Sequence, residues 1–161
     1  GDHSNGRTLR DALHALVCGE AASFGGTSVA CTGHGVIAVF DGPARAIRCA
    51  RVIEAAAAAQ GLSARIGVHT GECDLTAGVE HGLAATISGR IAQLADPGEV
   101  LVSRTVVDLV AGSGLKFADR GAYRLAKGLV EWRVFAVAED HLSSSGWHGA
   151  RQPATVDTLA Y

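Results

Sequence analysis

Residues 27–59 read TSVACTGHGVIAVFDGPARAIRCARVIEAAAAA, and the spacing of apolar residues changes partway along. Up to Phe40 they fall in two short runs, Thr27–Thr32 and Val36–Phe40, parted by Gly33-His34-Gly35. Two such runs around a glycine turn predict a β-hairpin. Beyond Pro43 the pattern becomes helical: Ile47, Ala50, Ile53 and Ala57 share one face, which predicts a helix to about Gln60. Asp41 is placed to cap this helix, and Pro43 sits in its first turn. The Ala55–Ala59 run is a good helix former and needs no other reading.

Reading outward, Leu9, Leu13, Leu16, Val17, Ala21 and Phe24 predict a helix over Thr8–Phe24, stopped by Gly25-Gly26. Downstream, Ala64–Thr70 reads as a strand and Glu72–Leu75 as a further extended piece beyond Gly71. A polar loop, Thr76–Gly82, leads to a helix over Leu83–Leu94. Asp96-Pro97-Gly98 is a turn, Glu99–Val102 a short strand, and Ser103 is placed to cap a short helix to Val110. Phe117–Leu125 and Trp132–Val137 read as closing strands. From about Ala138 the chain is rich in Ser, Gly and His without a pattern, and 138–161 reads as a flexible tail. Helices separate strand pairs, so the expected fold is α+β: a ferredoxin-like sheet with helices on one face, over residues 1–137.

Composition sets the outer limits. The chain has 161 residues, enough for one domain with its own core. Net charge is −2, which gives no basic face for a nucleic acid. No apolar run approaches the ~20 residues of a membrane span, and no signal-peptide pattern opens the chain. The four cysteines are irregularly spaced in apolar segments, so reduced thiols and a cytoplasmic protein are expected.

Several runs of this sequence resemble the class III nucleotide cyclase catalytic domain in its actinobacterial form. They are Phe24-Gly-Gly, the stretch Thr32–Ala46, Ile66-Gly-Val-His-Thr-Gly-Glu72, Pro97–Val106, Asp108–Gly114 and Glu131–Val137. The resemblance implies a domain that pairs head to tail, as a homodimer or with another cyclase domain. It implies conversion of ATP or GTP into the cyclic 3′,5′ nucleotide and pyrophosphate, with two Mg²⁺ or Mn²⁺ ions that activate the attacking hydroxyl and steady the triphosphate.

Carried over by position, the resemblance implies a damaged site. The first metal aspartate belongs to an opening strand of the form Phe-x-Asp-Ile, upstream of Gly1. The second falls on His34, and imidazole suits Zn, Cu or Ni better than Mg. The base-selecting lysine and aspartate fall on Ala30 and near Val79. The transition-state asparagine falls on Thr86, the arginine on Arg90, which is kept, and a phosphate-contacting lysine on Lys127. Beside these stand plainer readings: a solvent-facing turn for His34, a helix surface for Thr86, and a surface or interface ion pair for Arg90.

The implied protein is a degenerate cyclase homology domain, catalytically impaired, acting through dimerisation or regulation and needing no cofactor. The alternative is an active adenylyl cyclase, using Mg or Mn, with an unorthodox or partner-completed site. A further possibility is a zinc site from Cys31, His34, His69 and Cys73, provided the sheet closes between the two pairs. In the family layout the opening strand is central. Its place is therefore missing from the sequence read, supplied by a partner or second copy, or closed by re-pairing of the sheet.

Overall fold

The computed structural model describes residues 2–26, 28–31, 35–71, 82–125, 130–138 and 154–160. The elements in chain order are α1 (Asp2–Ser23), β1 (Ser28–Cys31), β2 (Val36–Phe40), α2 (Pro43–Ala59), β3 (Ala64–Thr70) and α3 (Leu83–Leu94). They continue with β4 (Val100–Ser103), α4 (Arg104–Leu109), β5 (Phe117–Tyr123), β6 (Trp132–Val137) and β7 (Ala154–Ala160). All seven strands form one sheet in the order β1-β2-β7-β3-β4-β6-β5.

The expected hairpin is present: β1 and β2 pair antiparallel, from Ser28 opposite Val39 to Cys31 opposite Val36. α2 then carries the chain over the sheet to β3. This crossover leaves β2 and β3 running the same way with one strand's width between them. β7 fills that gap, parallel to β2 on one side and to β3 on the other. β3 also pairs parallel with β4. β6 and β5 close the far side antiparallel.

Residues 154–160, read from the sequence as part of a flexible tail, are thus a central strand. Thr155, Asp157 and Thr158 break the apolar pattern that marks β2 and β4, and the pairing partners lie far back in the chain. Of the three outcomes left open for the central place, the sheet re-pairs with its own C-terminal segment.

Helices cover both faces of the sheet, not one. Val36, Ala38 and Phe40 of β2 and Ile66 and Val68 of β3 pack with Leu13 and Val17 of α1, Ile47 and Ile53 of α2, and Val106 of α4. On the opposite face, Ile87 and Ile91 of α3 pack with Leu101, Leu125 and Val134. Gly67 sets how closely α3 approaches. A Cβ there would run into the Ser88 carbonyl and come within 2.5 Å of the Ala92 nitrogen, so only glycine lets the α3 backbone rest on β3. The Gly67 step is visible in the sequence only as a break in an apolar run.

α1 begins six residues before the expected Thr8, because its first turns are polar and carry no apolar period. It ends where expected: Gly25 adopts φ 76°, a left-handed conformation that favours glycine. Two expected caps are not made. Gly42, not Asp41, stands at the N-cap of α2, and no side chain caps it. Ser103 stands at the N-cap of α4, but its hydroxyl is used elsewhere. The extended piece expected over Glu72–Leu75 lies outside the described residues.

Candidate functional site

Two of the residues that the resemblance singles out stand together. Thr86 and Arg90 are one turn apart on α3, and both are exposed. The residues buried on α3 are Ala84, Ala85, Ile87, Ser88, Ile91 and Ala92, so Thr86 and Arg90 belong to the opposite stripe with Leu83 and Gln93. The Thr86 hydroxyl donates back to the Gly82 carbonyl at 3.3 Å, a local bond that leaves it outward on the helix surface. Among the described residues Arg90 forms no ion pair. Leu83, beside them on this stripe, is 64% exposed.

The other expected site residues are not brought to this stripe by anything the structure describes. Ala30 lies on β1, paired with Ile37, at the edge of the sheet. His34, Val79 and Lys127 lie outside the described residues. Of the proposed zinc quartet, Cys73 lies outside them too, while Cys31 ends β1 opposite Val36. β1, which carries Cys31, and β3, which carries His69, are separated in the sheet by β2 and β7, about 14 Å at three strand spacings. Zinc bonds are near 2 Å, so closure across the gap, the condition for that site, is not met.

His69 has a different employment. It sits at the end of β3, 4% exposed, and its Nδ1 lies 2.7 Å from the Ser103 hydroxyl at the end of β4. Val68 pairs with Val102, so His69 and Ser103 are the next step of the same ladder. The Trp132 ring, at the start of β6, meets the imidazole edge to face, with centroids 5.2 Å apart. Burial pushes the imidazole down to about 4 from 6.5, so it is neutral near pH 7. A neutral imidazole sealed against a fully buried hydroxyl has no access to substrate. It ties three strands together where β3 and β4 end. Sequence reasoning took Ser103 as a helix cap and missed this pair. Matching the two strand ends residue by residue would have found it.

A separate cleft of about 690 Å³ opens on the α2 side of the sheet, between the start of α2 and the residues after α4. Arg45 and Arg48 line one wall with Asp41, and Leu109 and Ser113 line the other. Both arginines are exposed. α2 and α3 cover opposite faces, so this cleft and the Thr86–Arg90 stripe do not share a site.

The divalent ions that the resemblance implies do not suit the donors at hand. Mg²⁺ and Mn²⁺ take carboxylate oxygens. No group of three or more His, Cys, Asp or Glu side chains is gathered among the described residues, and the turn position expected to carry an aspartate is His34.

Comparison with known proteins gives the fold. Neither a family model nor a curated protein matches the chain. Solved structures do. An adenylate/guanylate cyclase/hydrolase from Silicibacter pomeroyi superposes with a TM-score of 0.61 over 86% of this chain and 87% of that one, at 19% identity. The adenylyl cyclase CyaB from P. aeruginosa superposes with a TM-score of 0.53 over 84% and 85%, at 14% identity. The fold is therefore α+β and cyclase-like. Among the described residues no helix is long and apolar enough to cross a membrane.

Proposed function

We propose that this chain is a degenerate cyclase-like domain, impaired in catalysis, that acts by pairing with a second domain or by regulation. The observation that carries the reading is a cyclase-like fold whose turn position for a metal aspartate holds a histidine. The turn position that the resemblance assigns to an aspartate holds His34, and β7 occupies the central place of the strand assigned the other. Asp157 on β7 stands mid-strand, level with Ile37 of β2, not at a strand end where a triphosphate could be met. Loss of one transition-state donor typically costs ~10²–10³ in rate, and a histidine in place of a metal carboxylate is expected to cost at least as much.

A second reading rests on Arg90. An exposed arginine one turn from Thr86, with Leu83 on the same stripe, is placed to be lent across a dimer to a partner's nucleotide site. One assay separates the two. The purified chain is incubated with ATP, then GTP, in excess Mn²⁺, beside His34→Asp and Arg90→Ala. The first reading expects no cyclic nucleotide above blank from any of them. Product that disappears with Arg90→Ala overturns it.

A further inference from the structure

The cleft beside α2 holds charges that the fold itself does not use. α2 opens at Pro43, so Arg45 stands in its first turn and Arg48 in its second. The first turn of a helix favours acidic side chains and disfavours cations. α2 has no acidic residue there and carries two cations three residues apart instead. Like charges at that spacing are neighbours on a helix and repel. Among the described residues neither arginine forms an ion pair, and Asp41, on the same rim, pairs with neither. A local rule broken with no compensation inside the fold points to function.

The walls of the cleft complete the picture. Gly25, at the end of α1, adopts φ 76°, and a Cβ there would stand 3.1 Å from Nη1 of Arg45. The turn that ends α1 therefore bounds this guanidinium on one side. Arg48, one turn further along α2, lines the same wall. The facing wall carries Leu109, which is 60% exposed, with Val110 and Ala111 beside it. Covering that leucine with an apolar body is favourable in proportion to the area removed from water. The space between the walls is about 690 Å³, within the ~300–1,000 Å³ of small-molecule sites.

We propose that this cleft binds a small phosphate monoester with a compact apolar body. Arg45 and Arg48 meet the phosphate, and the body lies on Leu109. Phosphate suits the pair better than carboxylate does. Each guanidinium presents a fork of donors, and one fork fills the two oxygens of a carboxylate. A phosphate monoester has three free oxygens and can take both forks. A long polyanion suits the cleft less, because Asp41 stands on its rim and the chain's net charge is −2. The cleft and the Thr86–Arg90 stripe lie on opposite faces of the sheet, so the inference is independent of whether the chain makes cyclic nucleotides.

The test is an NMR titration of the isotopically labelled full-length chain, with phenyl phosphate, inorganic phosphate and benzoate as probes. Phenyl phosphate should shift the Leu109 methyl and Ser113 amide signals saturably. It should bind at least about tenfold more tightly than benzoate and about threefold more tightly than inorganic phosphate. Arg48→Ala should weaken it about tenfold, and Leu109→Ser should remove its advantage over inorganic phosphate. Asp41→Asn should strengthen it about threefold, a gain that a merely misfolded variant cannot give. Arg104→Ala, at an exposed arginine outside the cleft, should leave it unchanged. No saturable shift at Leu109 and Ser113 up to ~10 mM phenyl phosphate overturns the proposal, as does equal weakening by Arg48→Ala and Arg104→Ala. Benzoate bound as tightly as phenyl phosphate overturns the choice of phosphate.

Discussion

β3 is held on one side by β4 and on the other by β7, and the two sides are built differently. Toward β4 the pairing ends in a buried imidazole and a buried hydroxyl 2.7 Å apart, with a tryptophan ring set against them. Every residue of β4 is buried. Toward β7 the pairing is longer, seven residue pairs against three, yet the incoming strand carries an aspartate and two threonines. The difference teaches that length of pairing does not rank strands by how firmly they are held. What the strand brings into its covered position counts as much.

The largest expected effect strikes both sides at once. Gly67→Val places a branched side chain against the Ser88 carbonyl and the Ala92 nitrogen and lifts α3 off the sheet. Overpacking of this kind costs ~3 kcal/mol or more, a fall in Tm of roughly 6–12 °C for a chain this size, measured by calorimetry.

Acid should act next, and on the β4 side. His69 takes its proton at about 4 when folded and near 6.5 when free. Between those values the unfolded chain binds more protons, so stability is whole above about pH 6.5 and is lost as pH falls toward 4. The slope approaches ~1.4 kcal/mol per pH unit in denaturant titrations, and His69→Gln should flatten it.

Two substitutions then set the sides against each other. Ser103→Ala leaves the buried Nδ1 of His69 without its partner and should cost ~1–3 kcal/mol. Asp157→Val, on the β7 side, should stabilise by ~1 kcal/mol instead. Equal and destabilising effects in chemical denaturation would erase the contrast. The smallest effect is expected on the surface. Arg104 and Asp108 pair at 3.2 Å, but their side chains are 60% and 64% exposed, so Arg104→Ala should cost under ~0.5 kcal/mol.

The same contrast explains what could be read from the sequence. The hairpin, α2, β3 and α3 announce themselves through local periods, because each buries a stripe that repeats within a few residues. β7 does not, since Asp157 and its threonines hide it and its pairing partners lie far back in the chain. The face that α3 covers hinges on Gly67, whose missing Cβ has no periodic signature. Of the site, Arg90 and Thr86 were placed by resemblance and do share a helix stripe. The His69–Ser103 tie escaped because Ser103 also fits the local pattern of a helix cap. His34, Val79 and Lys127 fall outside the described residues, and the His34→Asp arm of the assay addresses the first of them.

Residue-resolved amide hydrogen exchange under native conditions tests the contrast most directly. Amides of Val156–Leu159 should exchange at least about tenfold faster than those of Leu101 and Val102, a gap of ~1.4 kcal/mol in opening free energy. Equal protection of β7 and β4 would contradict the account and make β7 as permanent a member of the sheet as its neighbours.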